Sequence, residues 1–285
     1  MKFSFASALV LVAGLCAPLV WAQQNTTGTD PDEITDTLQR SKAKGVLNVC
    51  AYPYQYPFTQ QNSDPPGFDI EIIRNIAKQA GMRTEVYWIV ARSRASNQRV
   101  FRDSILAKRC DVFLSLGDAG DDDEDMLMNQ LTFTKPMMSM AYILVTQGKA
   151  DGMKTIEEVS KAGIKIGVNM STPADAYLFD KKIDRSLYFG DQRVMEGMAK
   201  GEIDAALIFA PSFAEAKRRY PDAKFHIAQG YEPLPEHRFN MRYAVRKGDK
   251  SLLDFINKGI DELLANGKIK QTVESYNVPF FAPLS

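Results

Sequence analysis

The sequence is poor in the residues that most protein chemistry needs. Only two histidines, His226 and His237, occur in 285 residues. That argues against a His-rich metal centre and against a His-dependent nucleophilic triad. No glycine-rich phosphate loop and no zinc-ligand spacing occurs. An excess of one charge is missing too: 35 basic residues face 35 acidic ones, so nothing favours nucleic acid, which needs a concentrated basic face. Beyond the N-terminus no apolar run is long enough to cross a bilayer. The expectation is a non-catalytic protein without cofactor, metal, nucleic acid or membrane anchor, working as a monomer. At 45% hydrophobic and 25% charged residues, the chain suits one large or two modest globular domains.

The N-terminus reads as a targeting segment. Lys2 precedes an apolar run over residues 3–20, and Val20, Trp21 and Ala22 place small residues where a signal peptidase reads. Residues 1–22 are expected to be removed by cleavage after Ala22, delivering the protein to the periplasm. Residues 23–37 are polar and read as a flexible leader, so the globular part begins near Leu38. Export leaves Cys50 and Cys110, and two cysteines in an oxidising compartment invite a disulfide. Yet Cys50 ends one candidate strand and Cys110 begins another. As parallel neighbours they stand about three residues, or roughly 10 Å, out of level, whereas a disulfide needs Cα atoms within about 7 Å. The pairing stays open at this point.

The chain is organised around residues 47–81. Leu47, Val49 and Ala51 mark a buried strand. A loop follows in which Pro53, Pro57, Pro65 and Pro66 forbid regular helix. Asp64 and the paired prolines set up a helix whose Phe68, Ile72, Ile73, Ile76, Ala77 and Ala80 recur at helical spacing, with Gly81 ending it. Further strands are expected at 84–89, 110–116, 138–145, 164–168, 185–189, 204–209 and 240–245, separated by helical patterns. Asp249 is the expected cap of a helix burying Leu252, Phe255, Ile256, Ile260, Leu263 and Leu264. At 169–173 a hydroxyl cap and Pro173 open another helix. Ser171 there is better read as a cap than as a nucleophile, since neither histidine lies near it. Two such α/β series in succession, with the chain then returning to the first, predict two lobes joined by crossings near 139–145 and 238–243. Clefts between lobes, beyond the carboxyl ends of strands, are favoured ligand sites.

Six short matches in the correct order then resemble one family. They are Pro57-Phe58 with Gly67-Phe68-Asp69, Cys110-Asp111-Val112, Phe133-Thr134-Lys135-Pro136, Lys165-Ile166-Gly167-Val168, Gly201-Glu202-Ile203-Asp204-Ala205, and Ala244-Val245-Arg246-Lys247-Gly248-Asp249. The chain resembles the family 3 extracellular solute-binding proteins over residues 46–278. The resemblance implies an α/β, two-lobed periplasmic-binding-protein-like fold, each lobe a mostly parallel sheet flanked by helices, with two hinge crossings. Residues 38–143 and 238–285 would form lobe 1, and residues 144–237 lobe 2.

Departures from the family pattern refine the expectation. Ligand-binding members usually place an Arg before the Phe-Thr-Lys-Pro segment to hold an α-carboxylate. Here residues 125–130 contain no basic residue, and Leu127 stands among them. They also place an Asp five positions after Asp204 for the α-ammonium, where this chain has Phe209. A buried carboxylate without a cationic partner costs several kcal/mol, so an amino acid held in the usual way is not expected. The stretches Val49-Cys50-Ala51-Tyr52-Pro53, Arg102 with Ser104, Arg109 to Val112, and Phe209-Ala210-Pro211 are similar to members associated with quinoprotein (methanol) dehydrogenases, the MxaJ and XoxJ type. That likeness implies a non-catalytic accessory or assembly partner of a PQQ-dependent alcohol dehydrogenase. The alternative is the substrate-binding component of an ABC importer for a small polar solute.

The expected cleft residues are Tyr52, Tyr54, Phe58, Trp88, Ser115, Met170, Ser171, Thr172 and Phe209, at or beyond strand ends. The aromatic ones are as readily core as ligand platform. The expected partner-binding residues are Arg92 and Arg94 in a basic loop, and Asp118, Asp121, Asp122 and Asp123 in the acidic run 118–125. That run could also ligate a hard cation through oxygen, but it matches no calcium loop, and a solvated loop is the better reading.

Overall fold

A computed structural model of the chain describes residues 30–90, 96–117 and 130–284. The signal segment and its cleavage after Ala22, Arg92 and Arg94, the acidic run with Asp118, Asp121, Asp122 and Asp123, and Leu127 lie outside the described residues.

The first half of the chain builds α1 (Thr37–Lys44), β1 (Val46–Ala51), β2 (Tyr54–Gln55), β3 (Thr59–Gln60), α2 (Phe68–Lys78), β4 (Arg83–Trp88), α3 (Asn97–Asp103), β5 (Val112–Gly117) and β6 (Leu131–Phe133). The strand β7 (Met138–Thr146) leads into α4 (Ile156–Lys161), β8 (Ile166–Asn169), α5 (Pro173–Asp180), β9 (Arg185–Tyr188), α6 (Asp191–Ala199), β10 (Ala205–Phe209), α7 (Ala210–Arg219) and β11 (His226–Ile227). The return strand β12 (Arg238–Arg246) precedes α8 (Lys250–Ala265) and α9 (Lys268–Ser275). The strands lie in the order β4-β1-β5-β12-β7-β10-β8-β9. The outer strands of each half are parallel, while β7 and β12 run antiparallel to their neighbours.

Side chains sort by the period of two that a strand imposes. Leu47, Val49 and Ala51 join Val112 and Leu114 in one core with α2, α8 and α9. Cys50 and Phe113 face the other side, with Val100 and Phe101 of α3. The second half repeats the arrangement. Ala206 and Ile208 face α6 and α7, and Ala205 and Leu207 face α4 and α5. Each large side chain so buried contributes roughly 1.5–3 kcal/mol.

The two halves meet at β7 and β12. Met138, Ser139, Met140 and Ala141 pair with Met241, Asn240, Phe239 and Arg238. Beyond them β7 pairs with β10, and β12 with β5. Each strand therefore starts in one half and ends in the other, which is the two-crossing hinge.

The disulfide Cys50–Cys110 is formed, with Cα atoms 5.5 Å apart. The expected stagger is present, since Cys50 pairs with Phe113. The error was to place Cys110 in the strand, which begins only at Val112. Lys108 adopts φ 58°, and Arg246 Nη1 donates to the carbonyls of Cys110 (2.6 Å) and Ile105 (3.0 Å). The chain is thereby folded back beside Cys50.

Helix starts also differ from expectation. Gly67, not Asp64, precedes α2, at φ 109°. A Cβ there would lie 2.3 Å from the Phe58 carbonyl oxygen, so glycine is required by both conformation and space. Asp249 stands before α8 but does not cap it. Its carboxylate instead accepts from Thr37 Oγ1 (2.7 Å) and pairs with Arg246 (2.9 Å). Thr172, not Ser171, caps α5 by accepting from the Asp175 N–H. Within the stretch read as leader, Pro31–Glu33 form a 3-10 turn and Asp36 directly precedes α1. Asp36 caps α1 and accepts from Ser251 Oγ (2.6 Å), and Arg40 donates to the Ile34 carbonyl (3.0 Å).

Candidate functional site

A cavity of ≈ 430 Å³ opens where the two halves meet. Gln55, Tyr56, Phe58, Ser115 and Gly117 line it from one side, and Gln192, Phe209, Pro211, Ser212 and Glu215 from the other. Phe239 and Met241 of the hinge strand β12 complete it. Its size falls in the range of small-molecule sites, and its mixture of aromatic rings with a few polar groups is what such sites present.

Local sequence explains each wall. The proline-rich loop after β1 closes on the short β2–β3 hairpin, which holds Tyr56 and Phe58 at its turn. Phe58 is fixed by Phe68, ring centroids 4.9 Å apart. Ser115 sits in β5 with φ 61°, and its hydroxyl donates to the Asp69 carboxylate. At the opposite wall β10 ends at Phe209, whose ring stacks on Phe239 at 5.5 Å and 21°. Pro211 lies in the first turn of α7, which suits its missing N–H. The Phe209 N–H (3.0 Å) and the Ser212 hydroxyl (2.8 Å) both donate to Asp191 Oδ2.

Two carboxylates thus lie behind the cavity, one on each side. Asp69 is 1% exposed, and burial pushes its carboxyl up to about 7, against the opposing hydrogen bonds from Ser115 and Tyr243. Burial also raises Asp191, against the donors Ser212 and Phe209 N–H. Along α7 itself, Glu215 pairs with Arg218 (3.0 Å) and Arg219 (3.3 Å). The Arg218 guanidinium lies 5.2 Å from the Tyr56 ring centre, joining α7 to the loop of the other half.

Of the expected cleft residues, Phe58, Ser115 and Phe209 line this cavity together. Ser171 and Thr172 line a separate depression with Pro173, Asp175, Phe179 and Arg185. Met170 is half-buried, and its N–H is taken by the Tyr188 carbonyl (2.9 Å). Tyr52 packs edge-on against Phe113, toward the α3 side of the sheet. Trp88 packs on the main core of the first half. Tyr54 is 75% exposed on β2. The strand-end rule selected these residues without regard to the face on which each side chain falls. It reached Phe209 but stopped short of Ser212 and Glu215, about one and two turns further on. Gln192, Phe239 and Met241 carried no local signal, because only the juxtaposition of the two halves makes them neighbours. Tyr56 stands directly before Pro57-Phe58 in the same loop, and that adjacency is its sequence signal.

Among the described residues no helix is long and apolar enough to cross a membrane, and no group of three metal-ligating side chains is poised to hold an ion.

Comparison with known proteins agrees with this architecture. The crystal structure of the L-cystine solute receptor of Neisseria gonorrhoeae, in its unliganded open conformation, superposes with a TM-score of 0.68 at 18% identity, covering 87% of this chain and 99% of that one. In sequence the chain is 24% identical over 248 residues to the L-cystine-binding protein TcyJ of Escherichia coli, covering 84% of this chain and 85% of the relative. It is 23% identical over 236 residues to the histidine-binding periplasmic protein of the same organism, covering 81% and 86%. The family described as bacterial extracellular solute-binding proteins, family 3, matches residues 47–279. Such a family is defined by binding and not by catalysis, and it supports a periplasmic location. With its match running through both lobes and the hinge between them, the chain belongs to the family 3 bacterial extracellular solute-binding proteins.

Proposed function

We propose that the protein is the solute receptor of a binding-protein-dependent importer, holding a small molecule between its lobes. The observation that carries this reading is the cavity itself, built from both lobes and the hinge strand, so that a ligand touches both walls at once. Residues 38–143 with 238–285 act as one rigid body and residues 144–237 as the other, rotating about β7 and β12. A ligand that contacts both lobes favours the closed arrangement by its differential affinity for it. Relatives named as receptors for cystine and histidine support the class of function. They do not carry over as ligands, because Phe209 stands where the family resemblance places the ammonium-binding Asp.

A second reading is kept for one observation. The likeness of Val49-Cys50-Ala51-Tyr52-Pro53 and Phe209-Ala210-Pro211 to dehydrogenase-associated members favours an accessory of a periplasmic quinoprotein dehydrogenase. In that reading Arg92, Arg94, Asp118, Asp121, Asp122 and Asp123 meet the partner, with encounter weakened by salt. A deletion strain separates the two. Loss of uptake of one defined compound with dehydrogenase activity intact is the outcome expected here. Full uptake with diminished active dehydrogenase would favour the accessory.

A further inference from the structure

The two serines in the cavity wall share an unusual arrangement. Ser115 on one lobe gives its hydroxyl proton to Asp69, and Ser212 on the other gives its proton to Asp191. A hydroxyl that is already donating has only lone pairs left for a third party. Each serine therefore presents an acceptor to the cavity, backed by a carboxylate.

Neither carboxylate has a cationic partner among the described residues. The groups on Asp69 are the hydroxyls of Ser115 and Tyr243, and those on Asp191 are the Ser212 hydroxyl and the Phe209 N–H. Buried charges are ordinarily paired, because an unpaired one loses its hydration without compensation. Glu215, by contrast, is neutralised by Arg218 and Arg219. The remaining polar lining is uncharged: Gln55, Gln192 and the Tyr56 hydroxyl. Among the described residues no basic side chain lines the cavity, so a ligand carboxylate would find no counter-charge among them. The rings of Tyr56, Phe58, Phe209 and Phe239 offer faces that attract cations and cover apolar bodies.

We infer that the cavity takes an organic ammonium ion that lacks a carboxylate, an amine with an aromatic or alkyl body. Its N–H groups donate to Ser115 and Ser212, its charge supplies the counter-ion that Asp69 and Asp191 lack, and its body lies against the four rings. The inference rests on the receptor reading and specifies its ligand.

Calorimetric titration of the mature protein tests it with four probes of similar shape: phenethylamine, phenethyl alcohol, hydrocinnamate and phenylalanine. Phenethylamine is expected to bind at least about tenfold tighter than the alcohol, the value of one charge-assisted hydrogen bond. Hydrocinnamate and phenylalanine are expected to bind more weakly than the alcohol. Ser212→Ala and Asp191→Asn should each weaken the amine about tenfold and leave the alcohol within about twofold. Ser115→Ala should do the same; if it fails to fold, the two variants on the other lobe decide alone. An amine no tighter than the alcohol, or hydrocinnamate or phenylalanine as tight as the amine, overturns the inference. So does the absence of binding by all four probes. In each of these cases the receptor reading is judged separately, by uptake in the deletion strain.

Discussion

Asp69 is the residue on which sequence and environment disagree most. It occupies the first turn of α2, where a carboxylate is favoured by the helix dipole, yet it is enclosed by β5 and β12. Raising the carboxyl from its ordinary 3.8 to about 7 costs on the order of 4 kcal/mol for the ionised form. The folded state binds the proton more tightly than the unfolded state does. This group's contribution is therefore fully present below about pH 4 and is lost as pH rises through about 7. Asp69→Asn keeps the shape and removes the titration. Denaturant unfolding at pH 5 and pH 8 should show the variant gaining on the parent by about 2–3 kcal/mol at the higher pH. A difference that does not change with pH would refute the assignment of a strained carboxyl to this site.

At the scale of elements, two connections hold the first lobe's outer parts to its sheet. The first is the Cys50–Cys110 disulfide, which closes 60 residues of chain. In the chain-entropy account a loop of that length stabilises the fold by about 4 kcal/mol. Replacing both cysteines with Ala should lower the denaturation midpoint accordingly, with a steeper slope because the unfolded chain loses its cross-link. The neighbouring ion cluster should keep the turn in place, because Arg246 also pairs with Asp111 at 3.1 Å. The second connection is the C-terminal tail. Ser139 N–H donates to the Phe281 carbonyl (2.9 Å), Arg238 donates to the Ala282 carbonyl (2.9 Å), and Leu284 N–H donates to Asn240 Oδ1 (2.8 Å). Phe280 packs on the core of the first lobe and Phe281 on a core of the second. The tail thus lies across both hinge strands. Truncation after Val278 should lower thermal stability by several degrees, as expected for the loss of about 1–2 kcal/mol. An unchanged melting temperature would mean the tail rests on the hinge without strengthening it.

For the whole molecule the consequence is a family 3 solute-binding protein whose cavity walls differ from the amino-acid clamp that the family resemblance implies. Phe209 faces Phe239 in a stacked pair where the resemblance places an ammonium-binding carboxylate, and among the described residues no basic side chain lines the cavity. Titration with the twenty amino acids should show none binding more tightly than about millimolar, the level left when orientation-fixing charges are absent. Tight binding of any one of them would overturn this. The Arg218–Tyr56 contact between the lobes belongs to the same scale. It joins α7 to the β2–β3 hairpin of the other half.

The element order, the core faces of the strands and helices, the two crossings and the family were legible in the sequence. They depend on local periodicity and on short ordered matches, and burial of an alternating face leaves little choice of strand register. Phe58, Ser115 and Phe209 were legible for a related reason, since strand ends in such folds point to clefts. Tertiary structure alone decided the rest. The disulfide depended on Arg246, 136 residues away from Cys110, bending the chain before β5. The raised titration of Asp69 depended on its burial, among neighbours that include Tyr243, 174 residues distant. The opposite wall of the cavity depended on how the two halves meet at β7 and β12. Contacts between distant segments have no local pattern to announce them, because they are fixed by packing and not by the conformational preference of any one stretch.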